Sequence, residues 1–125
     1  MPFAYWCVLI AALLPFAIVS YAKAGSGGDN HNPRAGIDNL QPAKRRAYAA
    51  HQNAFESFPF FAAAVIIAMT QGASLSTVNI LAAIYIVLRG MHAVLYINDA
   101  ATARSVVFTL AFAANIAIFV SPAFK

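Results

Sequence analysis

Residues 3–22, "FAYWCVLIAALLPFAIVSYA", are 20 consecutive positions without a charge. As an α-helix such a run rises about 30 Å, the thickness of a bilayer's hydrocarbon core. A soluble domain of 125 residues has no interior able to hide helices that are apolar on every face. Further runs of the same kind follow, and with 62% hydrophobic and only 10% charged residues the solvent of this chain is read as lipid. A secretory signal peptide is the competing reading of the first run, because "AKA" at 22–24 resembles a cleavage site. However, "MPFAYW" carries no Lys or Arg, the apolar core is too long, and the chain starts at Met1. The run is therefore expected to be retained as the first span, with Pro15 tolerated as a kink.

Residues 23–46 change character, with four Gly, two Pro and seven charges, and read as a loop whose "GSGG" tract is expected to be mobile. Its tail, "LQPAKRR", reads as a helix start with Pro42 in the first turn. Spans two, three and four are expected at 47–70, 75–97 and 105–123, joined by "QGAS" and "NDAATARS". The expected architecture is an all-α integral membrane protein, a single domain over 1–125 built as a four-transmembrane-helix bundle. Lys23, Arg34, Lys44, Arg45 and Arg46 fall in the first loop and Arg104 in the third connection, against only Lys125 at the far end. The positive-inside rule then puts loop 23–46 in the cytoplasm and both termini on the non-cytoplasmic side. The net charge of +4 is thus a membrane-surface distribution; the bases are too few and too interrupted for a nucleic-acid site. Lys44, Arg45 and Arg46 read first as a cluster facing headgroups. Cys7, alone in an apolar run, allows no intramolecular disulfide and reads as a small hydrophobe.

Charged and polar residues inside the spans carry the functional signal. Tyr85, Arg89, His92 and Tyr96 recur at helical spacing and share one face of span three. An intramembrane Arg costs at least ~2.5 kcal/mol on insertion scales, so it should face the bundle interior with a partner. Glu56, in "HQNAFESFPFF", is the expected partner, with Asn53 one turn earlier on the same face and Pro59 placed to kink the helix. His51 points away from Asn53, which hints at a second surface used in subunit packing. Arg104 and Ser105 open span four from the same side. The expected cleft suits a small anion with an ammonium end: arginines for carboxylates, Glu56 for the amine, Tyr96 or Ser105 as donor to a developing anion. Arg–Glu glue between spans and an interfacial Tyr96 are the structural alternative. His51 and His92 lack a third ligand at suitable spacing, so no metal site is expected.

"DNHNPR", "AHQNAFESFPFFAAAV" and "LRGMHAVLYI…ARSVVFTLA" resemble the MAPEG family, the membrane-associated proteins in eicosanoid and glutathione metabolism, and most closely its short bacterial branch. The core of the resemblance is Asn53, Glu56 and Pro59. It implies a homotrimer with active sites between subunits near the cytoplasmic face, in the bacterial inner membrane. It also implies glutathione as co-substrate, held by Asn53, Glu56, Arg89 and Tyr96, with His92 beside them on the same stripe. Arg104 would activate the thiol and Ser105 share that work, since a nearby cation favours the nucleophilic thiolate. Expected partners are the lipid bilayer, further copies of the chain, a lipophilic small molecule and, as an open alternative, a larger membrane complex. One position departs from the pattern: Ala49 stands where active members usually carry an Arg.

Three functions follow. The first is a glutathione-dependent transferase or peroxidase acting on lipophilic electrophiles; the second is a non-catalytic scaffold or accessory subunit of the same fold that has lost glutathione. The third, a small multidrug-type transporter, fits poorly with a glutamate in span two and with the Arg-His-Tyr stripe.

Overall fold

The computed structural model describes residues 1–24 and 30–125; the "GSGG" tract and its expected mobility lie outside the described residues. The chain forms α1 (Phe3–Lys23), α2 (Pro42–Thr70), α3 (Leu75–Ile97) and α4 (Ala101–Val120). Short 3-10 turns occupy Ile37–Asn39 and Ser121–Phe124. Among the described residues, four helices are long and apolar enough to cross a membrane, the last counted with its 3-10 extension. α2 starts before span two, at Pro42, and α4 starts at Ala101, four residues before the expected start at 105, so Arg104 lies in the first turn of the helix.

The buried positions of each helix recur mostly at steps of three and four residues. In α1 they are Ala4, Cys7, Ala11, Pro15, Ile18 and Ala22; in α4 they are Val107, Ala111, Ala114, Asn115 and Ile118. That spacing keeps one stripe facing the neighbours along the full length of a gently crossing bundle. Alanine dominates the stripes, because lipid tails are as apolar as leucine and close backbone approach is what drives association. Larger side chains, such as Leu13, Phe16, Ile80 and Leu110, are turned outward. α1 packs on α2 and α3, and α4 on α3 and α2.

Both tight connections close with the same hydrogen-bond pattern. Ala73 N–H donates to Ala68 O and Gly72 N–H to Met69 O; Ala100 N–H donates to Leu95 O and Asp99 N–H to Tyr96 O. These are Schellman closures, each with one left-handed residue: Gly72 at φ 74° and Asp99 at φ 59°. The Asn79 side chain of α3 accepts from Ala4 N–H at 2.9 Å, which satisfies an orphan donor at the start of α1. Lys125 Nζ donates to Gln71 O, so both chain ends sit beside the α2–α3 turn.

The basic residues of the first loop gather at the opposite end, where two of them finish helices. Lys44 donates to Tyr21 O at 2.7 Å with its ammonium 3.7 Å above the Tyr21 ring, and Arg46 Nε donates to Ile97 O at 2.9 Å. Cations at helix C-termini meet free carbonyls and the negative end of the dipole. Lys44 and Arg46 thus act as caps, and Arg45 between them is exposed.

Candidate functional site

α2, α3 and α4 leave an open cleft of about 210 Å³ between them. From α2 it is lined by Asn53, Glu56, Ser57 and Phe60, and from α3 by Tyr85 and Arg89. Phe108, Phe112 and Asn115 of α4 face it from the other side. Arg89 is 4% exposed, and its Nη2 donates to Asn53 Oδ1 at 2.7 Å. The expected Arg89–Glu56 pair does not form; Asn53 is the partner of Arg89. The reason is angular. Asn53 lies about 100° round α2 from the buried Ala54, and Glu56 about 60° further, so the carboxylate reaches the outer edge of the cleft and is exposed. α2 runs unbroken through Pro59.

A second group adjoins the cleft through Phe108. His92, 3% exposed, sets its ring edge-on to Tyr96 at 5.7 Å and lies 5.9 Å from Phe108. The Arg104 guanidinium stacks 4.4 Å from the Tyr96 ring centre, a cation–π contact that holds the charge in place without neutralising it. Arg104 also sits in the first turn of α4, where the helix dipole adds positive potential. The pair is therefore suited to stabilising an anion. Ser105 is exposed and lies outside the cleft lining.

His51 departs from its expected role. It is buried against α1, with Nδ1 2.8 Å from Pro15 O, and its ring is held between Tyr48 and Phe55. The surface it serves is therefore inside its own chain rather than between subunits.

The sequence profile of the MAPEG family matches residues 3–124. The chain belongs to the MAPEG family. No curated protein and no solved structure matches it. MAPEG proteins include glutathione-dependent transferases and non-catalytic members, and they are often trimers. Within this MAPEG chain, Ala49 leaves no cation one turn before Asn53, and Arg46, the nearest inward base, is committed to Ile97 O.

The cleft also contains groups that the sequence reading did not assign to it. Ser57, whose hydroxyl donates to Asn53 O, looks from sequence like any small residue of a membrane helix. Asn115 had a usable signal: it is the sole amide in "AFAANIAIFV".

Proposed function

We propose that this MAPEG protein is a glutathione-dependent transferase or peroxidase that acts on lipophilic electrophiles entering from the bilayer. The observation that carries this reading is the buried Arg89–Asn53 bond in an open cleft, one aromatic layer from Arg104. Arg89 offers a fork of donors to a carboxylate, Asn53 an amide to a peptide group, and Glu56 a counter-charge to the ammonium of glutathione. His92 and Tyr96 line the path between that cleft and Arg104. Arg104 stabilises the thiolate, which then forms the carbon–sulfur bond in conjugation while the leaving group departs with its electron pair. Ser105 contributes only if its hydroxyl turns toward the thiol.

At about 210 Å³ the cleft of one chain falls below the ~300–1,000 Å³ typical of ligand pockets. Glu56 is moreover exposed, and it is the one charged residue of the span 47–70. Both support a homotrimer in which a neighbouring subunit closes the cleft, with the basic end at the cytoplasmic face of a bacterial inner membrane.

Titration of the purified protein in detergent with glutathione tests the reading. Saturable binding with new ultraviolet thiolate absorbance is expected. Arg104→Ala should remove the absorbance, and Glu56→Gln should weaken binding about tenfold, as loss of one charged contact does. Absence of saturable binding in the wild type overturns it. In that case a non-catalytic scaffold is the better reading, favoured by Ala49 and by the commitment of Arg46 to α3.

A further inference from the structure

Among the described residues, Asn115 is the one buried polar side chain that neither the fold nor the glutathione reading uses. It is 2% exposed, it lines the cleft, and its Oδ1 has no hydrogen-bond partner. An amide left unpaired in a lipid-surrounded interior costs roughly 1–3 kcal/mol, and no bulk water is at hand to relieve it. Asparagines that serve as glue between membrane helices bond across to a neighbouring helix; this one lines a cleft, and its Oδ1 bonds to no neighbouring helix. It follows Arg104 by eleven positions on α4, so it lies about 16 Å deeper along the helix axis, near the middle of the hydrocarbon core.

Tyr85 faces the same cleft from α3. Its ring is fixed by stacking on Phe61 at 4.0 Å with planes 9° apart. Its hydroxyl reaches only the Ser57 carbonyl, at 3.5 Å, which is the outer limit of a hydrogen bond. The cleft lining therefore holds one unpaired acceptor, buried beneath its surface and brought to it by a turn of the amide, and one weakly used donor. Phe60 and Phe112, 5.8 Å apart, form the apolar rim around them.

We propose that Asn115 and Tyr85 form an intramembrane subsite for the hydroxyl group of an otherwise apolar molecule. A turn of the Asn115 amide brings Oδ1 to the cleft, where it accepts the ligand's O–H while the Tyr85 phenol donates to the ligand's oxygen. The subsite determines which lipophiles are retained: those with a hydroxyl well separated from the end that lies toward Arg104. The proposal rests on the reading of the cleft as the meeting place of thiol and lipophile, and the experiment separates the two.

The probes are dodecanol and its methyl ether, titrated at equal membrane mole fraction into the full chain in lipid nanodiscs. The ether accepts a hydrogen bond but donates none. The wild type should prefer the alcohol about tenfold, the worth of one well-made buried hydrogen bond. Asn115→Leu, similar in size, should reduce that preference to less than about twofold. Tyr85→Phe should weaken alcohol and ether alike, by about threefold, and keep the preference. If Asn115→Leu does not fold, Asn115→Ala is read the same way. No preference in the wild type, or a preference that survives loss of the amide, overturns the subsite. A wild type that shows the preference but binds no glutathione keeps the subsite and removes the transferase reading.

Discussion

The 2.7 Å hydrogen bond from Arg89 to Asn53 joins a cation to a neutral acceptor and leaves the charge uncancelled. Glu56, an opposite charge one turn further along α2, is directed to the outer edge of the cleft. The two residues should accordingly behave differently in stability measurements. Asn53→Ala removes the partner of a buried guanidinium and should cost ~2 kcal/mol, the range for a hydrogen bond to a charged group. Glu56→Gln breaks no bond within the chain and should change stability by less than about 0.5 kcal/mol. Unfolding by sodium dodecyl sulfate titration compares them. Equal losses for both variants would mean that Glu56 holds the bundle together after all.

At the level of elements, the helices are joined by turns whose chemistry was partly readable. Gly72 sits in "QGAS" as a turn signal and takes the left-handed conformation that glycine adopts without penalty. Asp99 occupies the same conformation in the α3–α4 turn with a Cβ attached. Asp99→Gly should therefore stabilise the fold by ~1 kcal/mol, visible as a higher melting temperature in detergent. An unchanged or lower value would indicate that the carboxylate does something for the turn that the backbone geometry does not reveal. The Asn79 cap on α1 has no signal in its own neighbourhood, because donor and acceptor lie 75 residues apart in the chain.

At the scale of the molecule, the chain is built with its small side chains inside and many of its large ones outside. One bundle gains little by burying a leucine from lipid, so the outward residues mark surfaces for tails or for other copies. The α2–α4 face differs from the rest, since it carries the open cleft and an exposed carboxylate. A second chain over that face is expected, and native mass spectrometry from mild detergent should return three chains per particle. A strictly monomeric protein would leave Glu56 against lipid and would argue against closure by a neighbour.

Much of this was legible in the linear chain. Apolar runs of bilayer length, each with at most one charge, determine four spans, because a helix in hydrocarbon must satisfy its own backbone and little else has to be known. Helical spacing likewise placed Tyr85, Arg89 and His92 on one stripe, and all three are buried. Partner choice was a different matter. Spacing fixes which residues of one helix share a face, but it leaves open how far that helix is rotated against its neighbours. About 60° of rotation separates Asn53 from Glu56, and it decides which of them meets Arg89. The same holds for His51, seated on Pro15 of its own chain, for Arg46, closing α3, and for Asn115, which only the packing of three helices brings to the cleft. The sequence by itself determined the solvent, the spans and the inward stripe; the tertiary structure alone decided the pairs, because a pair depends on two helices at once.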